Sequence, residues 1–132
     1  MAEQTLPRTG TFCWTELMTR DVEKAKKFYS ALIGWKIAAQ DMGGFTYHLI
    51  NVPGTDDQVG GMMQMEGPQW QGIPPHWMPY IAVDSVDQCA KRAQELGGKV
   101  KMPPTDIPNV GRFCVIEDPT GAVISLYTSK SK

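Results

Sequence analysis

Apolar and polar positions alternate from Thr11 to Met18, with Phe12, Trp14 and Glu16 on one side and Cys13, Thr15 and Leu17 on the other. That period of two predicts a β-strand. The spacing then changes: Val22, Ala25, Phe28, Tyr29, Leu32 and Ile33 recur at helical intervals and predict an apolar helix face. Asp21 stands where a carboxylate can accept the free amide hydrogens of the first turn, and Gly34 stands where a helix stops. Further strands are predicted over 35–39, 45–51 and 59–65, divided by turns at Met42-Gly-Gly44 and at 53–57. Residues 67–75 hold three prolines and two glycines without an apolar period, so they read as a connector.

The second half repeats this order. A strand is predicted over 77–83, then a helix capped by Ser85 or its neighbour, with apolar positions Val86, Cys89, Ala90, Ala93 and Leu96, ending at Gly97-Gly98. A strand beginning at Val100, one over 111–117, a turn at 118–121 and a last strand over 122–128 complete a second βαβββ series. Val22 and Val86, Lys27 and Lys91, Leu32 and Leu96, Gly34 and Gly98, and Val59 and Val123 all pair at an offset of 64. Two such modules sharing a core are expected to enclose one cleft.

Length and charge narrow the classes. The 132 residues suit one domain whose halves are modules, neither expected to fold alone. Thirteen basic against 14 acidic residues leave a net charge of −1, and the only dense basic run, Lys24, Lys26 and Lys27, falls on the first helix as a solvated face. No nucleic-acid partner and no membrane partner are expected. The start, Met1-Ala-Glu-Gln-Thr5, lacks the order of a secretory signal, so the expected location is cytoplasmic. Cys13, Cys89 and Cys114 form no metal or disulfide pattern and read as small apolar residues. No phosphate-binding glycine loop and no activated-serine elbow is present.

Three segments together carry a family resemblance. Glu16-Leu-Met-Thr-Arg-Asp-Val-Glu-Lys-Ala-Lys-Lys-Phe-Tyr29 with Gly34-Trp35, Val83-Asp-Ser-Val-Asp87 before a helix ending in Gly97-Gly98, and Glu117-Asp-Pro-Thr-Gly-Ala-Val-Ile-Ser-Leu126 resemble the vicinal oxygen chelate superfamily. That superfamily includes glyoxalase I, bleomycin-resistance proteins and extradiol dioxygenases, and the resemblance runs from about Gly10 to Thr128. It implies an α+β fold in which two tandem βαβββ modules form an eight-stranded, cup-shaped sheet with helices outside, usually in a homodimer. The implied layout is a tail over 1–9 and one domain over 10–129: module one 10–66, connector 67–75 and module two 76–129. In metal-dependent members the ligands come from the first and fourth strands of each module. The matching places here are Trp14, Gly61, Met78 and Ser125, which offer a catalytic divalent ion neither imidazole nor carboxylate. No metal ligand is assigned on this basis and no cofactor is expected, a divalent metal at an unconventional site being the alternative.

Glu16 then draws attention as the candidate catalytic residue. Two positions from Trp14, it points to the same side, where apolar walls are expected to raise its pKa and suit it to acid–base work. Tyr80 is its partner at the offset of 64. His48 and His76 are the only histidines, and both are read as surface or capping residues. Gly60-Gly61 either lets a ligand or strand approach closely or serves packing. Arg112 reads as a surface ion-pair partner.

Two functions follow. In the first, the cup, lined by Trp14, Glu16, Met63, Met78, Tyr80, Ser125 and Tyr127, binds a small organic molecule without metal, as the bleomycin-resistance branch does by sequestration. In the second, the protein is an enzyme of glyoxalase, dioxygenase or hydroxylase-like type that uses Glu16 or an unconventional metal.

Overall fold

The structure is a computed structural model that describes residues 7–130. Its elements run β1 (Phe12–Thr19), α1 (Val22–Ile33), β2 (Lys36–Asp41), β3 (Thr46–Asn51), β4 (Gln58–Gln64), a 3-10 turn (Pro68–Trp70), β5 (His76–Ala82), α2 (Val86–Glu95), β6 (Lys99–Ile107), β7 (Gly111–Glu117) and β8 (Val123–Ser129). This is the doubled βαβββ order of an α+β protein. The chain forms two compact units, residues 14–78 and residues 79–130 with 7–13. Residues 1–6 of the tail expected over 1–9 lie outside the described residues; just beyond the tail, Gly10 N–H donates to the Ala82 carbonyl at 2.8 Å and Ala82 N–H to the Thr11 carbonyl at 2.9 Å.

In the unit 14–78 the strand order is β2-β3-β4-β1, with β1 parallel to β4 and the other pairs antiparallel. Leu17, Ile50 and Met62 meet Val22 of α1 in a buried core, flanked by Ala25, Tyr29, Trp35 and Ile37. Because side chains alternate along a strand, fixing these residues under α1 turns Trp14, Glu16, Met18, Tyr47, Leu49, Gly61 and Met63 to the opposite face. The ends of α1 are those the sequence announces. Asp21 accepts from Lys24 N–H at 3.1 Å, and Gly34, at φ 88°, donates its N–H to the Ser30 carbonyl at 3.0 Å.

The helix face is narrower than its apolar stripe. Val22 is buried and Ala25 and Tyr29 are half-buried, but Phe28 and Leu32 are 57% and 65% exposed and Ile33 is exposed too. Phe28 and Leu32 sit four apart on a ridge beside the one that meets the sheet, so spacing alone could not separate the two. Phe28 packs edge-on against Tyr29, which with Trp35 and Trp77 forms an aromatic cluster with centroids 5.3–6.0 Å apart.

In the other unit the order is β5-β8-β7-β6, with β5 parallel to β8. Val86 and Ala90 of α2 close over Cys114 and Leu126, so Tyr80, Phe113, Ser125 and Tyr127 face away from the helix. Ser85 caps α2 by accepting from Gln88 N–H at 3.2 Å. β6 continues through Pro103-Pro104 to Ile107 with two register shifts; as the terminal strand of the order it tolerates residues without an amide hydrogen. Arg112 is the ion-pair residue expected, bidentate to Asp87 at 2.9 and 3.0 Å and bonded to Asp106 at 2.8 Å. That grip holds the Asp87 carboxyl below its ordinary range.

Candidate functional site

The sheet face of the unit 14–78 that turns away from α1 carries a three-membered hydrogen-bond chain. Trp14 Nε1–H donates to the Tyr47 hydroxyl at 2.8 Å, and the Tyr47 hydroxyl donates to Glu16 Oε2 at 2.5 Å. Glu16 is 5% exposed, while the two rings are half-buried. Both hydrogens point along the chain toward the carboxylate, the order found in short charge-assisted hydrogen bonds.

The strand order explains how residues on β1 and β3 meet across β4. Glu16 and Leu49 both pair with Gly61, so Gly61 lies between the strands that carry Glu16 and Tyr47. A Cβ on Gly61 would stand 2.2 Å from Tyr47 Cζ and Oη. The missing side chain is what lets the phenol ring lie across β4. Of the two readings of the glycine pair, close approach holds for Gly61, and the group approaching is Tyr47.

Met63 stands opposite Met18, so Trp14, Glu16 and Met63 share one sheet face within this unit. Met78 is buried on β5. In the other unit, Tyr80 and Ser125 are side by side in the β5–β8 ladder, with the Tyr80 ring 6.3 Å from that of Phe113. Ser125 is 1% exposed, and its hydroxyl has no hydrogen-bond partner among the described residues. Tyr127 shares that face, but its hydroxyl donates to the Val110 carbonyl at 2.9 Å and burial raises its pKa. It borders a crevice of about 260 Å³ with Arg8, Thr9, Val83, Asp84 and Ser129. An open groove of about 600 Å³ beside Trp35, Lys36 and Asn51 lies at the C-terminal end of α1 and includes none of the predicted site residues.

Among the described residues no three His, Cys, Asp or Glu side chains gather as a metal site. The donors at Trp14, Gly61, Met78 and Ser125 do not suit the divalent ion of metal-dependent relatives, and no step is assigned to one. The three thiols are free, and burial raises the pKa of each, that of Cys114 to about 11, so none is an activated nucleophile. No helix among the described residues is long and apolar enough to cross a membrane.

A model of the glyoxalase/bleomycin resistance protein/dioxygenase superfamily matches residues 11–126. The chain belongs to that superfamily. Within the superfamily it is 40% identical over 119 residues to a putative glyoxylase of Mycobacterium bovis, covering 89% of this chain and 44% of that protein. It is 30% identical over 128 residues to an anthracycline biosynthesis protein of Streptomyces peucetius, covering 89% and 46%. The chain thus spans less than half the length of these curated relatives. Among solved structures, a methylmalonyl-CoA epimerase from Mycobacterium tuberculosis shares the superfamily fold, with TM-score 0.61, 17% identity and coverage of 98% and 93%.

Two residues escape a reading of the sequence. Tyr47 lies on β3, and its reach to Glu16 depends on β4 lying between β3 and β1. His48 was expected at the surface, yet it is 5% exposed, under α1 and opposite Met62, with Nδ1 unpartnered among the described residues. Burial first, and then the charge of Lys26 outweighing that of Glu23, lower its pKa from 6.5. The unfolded chain therefore takes up the proton more readily. The stability His48 allows is complete above pH 6.5 and declines as pH falls from there through the folded-state value. Thermal melts between pH 7.5 and 5 are expected to show a larger fall for the native protein than for His48→Gln; equal slopes would refute this assignment.

Proposed function

We propose that this superfamily member binds a small organic molecule on the sheet face carrying Trp14, Glu16 and Tyr47, without a resident metal. The observation that carries the proposal is the hydrogen-bond chain that runs from an indole through a phenol to a nearly buried carboxylate. Aromatic and thioether walls around a few oriented polar groups are the composition of small-molecule sites. The relatives' names are consistent with small-molecule chemistry, and sequestration of the bleomycin-resistance kind is the specific form proposed.

The test is calorimetric titration of the purified protein with aromatic and polyketide-like compounds in the presence of a chelator. Micromolar binding weakened at least about tenfold by Trp14→Ala is expected, given the usual worth of an aromatic wall. Binding that needs added metal, or that ignores Trp14, would refute the reading.

The 2.5 Å bond between Tyr47 and Glu16 favours one alternative, an enzyme in which Glu16 exchanges a proton with the ligand while Tyr47 steadies the carboxylate. Turnover that survives chelator, and is lost in Glu16→Gln, would establish it. A homodimer in a cytoplasmic setting completes the proposal, with the exposed Phe28 and Leu32 of α1 as the apolar surface available for pairing. Sedimentation should return twice the mass of a 14.6 kDa chain.

A further inference from the structure

We infer that β2 is a docking edge for a second copy of this chain, the two β2 strands pairing antiparallel about a two-fold axis. This rests on the homodimer reading above and specifies its surface. β2 ends the strand order at one side and β6 at the other, so each has one side without a strand partner among the described residues. The two edges are built differently. β6 carries Pro103-Pro104 and two register shifts, features that keep a further strand from adding. β2 has no proline, and it pairs with β3 without a shift from Lys36 opposite Asn51 to Asp41 opposite Thr46. A strand so regular on its paired side presents a regular row of amides and carbonyls on the other.

The side chains allow close approach. Ala38 and Ala39 stand at the middle of β2, small and exposed. Gly34 to Ala38 border the groove of about 600 Å³ as a consecutive run, whereas a sheet face would contribute alternate residues only, so the strand edge itself faces that space. Charge selects the partner. Lys36 and Asp41 close the strand with opposite signs, and antiparallel alignment sets the basic end of each copy beside the acidic end of the other. A slip that put Lys36 opposite Lys36, or Asp41 opposite Asp41, would set like charges against each other. Equivalent residues meet at the two-fold axis, and the longest overlap places that axis at Ala38 or Ala39. The same axis keeps both α1 helices on one side of the joined strands. Because α1 runs into β2 through Gly34 and Trp35, the exposed Leu32 and Ile33 lie beside this edge. They supply apolar surface beyond the strand, as an interface of about 800 Å² per partner requires.

The experiment is sedimentation equilibrium of the native chain, of Ala38→Lys/Ala39→Lys, of Ala38→Glu/Ala39→Glu, and of those two variants mixed. Changing both positions sets like charges opposite each other whichever alanine lies on the axis. The native chain should be a dimer, each variant alone should dimerise at least about tenfold more weakly, and the mixture should recover a mixed dimer. Hydrogen exchange of the β2 amides in the native chain, compared at low and high concentration, should slow as the dimer fills. If the native chain dimerises but the variants pair as well as it does, if the mixture recovers no dimer, or if β2 exchange ignores concentration, edge pairing is overturned while the homodimer reading stands. A native chain that stays monomeric overturns both. The exchange comparison decides the matter even if the variants do not fold.

Discussion

Gly60→Ala is expected to lower stability by about 3 kcal/mol or more, the upper range for forcing an atom into a packed interior. A Cβ there would stand 2.2 Å from the Thr15 carbonyl oxygen, and Thr15 is the ladder partner of Gly60 on the neighbouring strand. Backbone in the middle of a sheet cannot move aside without breaking the ladder. Gly61→Ala meets an obstacle at a similar distance, but it is the end of the Tyr47 ring, which can rotate away. That variant should fold, at a cost of about 1–2 kcal/mol, and lose the bonds from Tyr47 to Glu16 and from Trp14 to Tyr47. Urea denaturation read beside ligand binding separates the two: Gly60→Ala fails in stability and Gly61→Ala in binding. Equal stability losses, or intact binding in Gly61→Ala, would refute the role given to each glycine.

Met62→Ala should cost about 3 kcal/mol. Met62 is fully buried among Leu17, Val22 and Ile50, and its removal leaves a void that the sheet backbone cannot close. The void opens opposite His48, whose Nδ1 lacks a partner among the described residues. A polar wall makes such a space hospitable to water, and hydration restores the proton-binding environment that burial removes. The variant should therefore be less stable at neutral pH and also lose less further stability on acidification to pH 5. Chemical denaturation at pH 7.5 and pH 5 checks both parts. A loss below about 1 kcal/mol, or an undiminished pH dependence, would show that the site collapses instead of hydrating.

These expectations draw unequally on the sequence. Local signals were legible: Asp21, Gly34 and Ser85 lie where capping chemistry puts them, and the turns at 42–44 and 118–121 separate the strands they were expected to separate. Alternation also placed Trp14 and Glu16 on one face. Long-range pairing was not legible. The contact between Tyr47 and Glu16 exists because β4 enters between β3 and β1, and nothing near Tyr47 in sequence records that order. The burial of His48 and the exposure of Phe28 and Leu32 have the same origin, since both depend on which ridge of α1 meets the sheet. Parity along a strand shows which residues share a side, but only the partner strands show which side is covered.

The vacancy over Gly61 also constrains how this chain can change. Positions 47 and 61 occupy one volume, so the fitness of a residue at either depends on the residue at the other, and the order of mutations matters. A side chain at 61 displaces the Tyr47 ring, so a larger residue there is better accommodated where position 47 is small. A combinatorial library at the two positions should accordingly be populated in opposite corners, large at 47 with glycine at 61, or small at 47 with a larger residue at 61. The two positions behave as one steric unit and should change together.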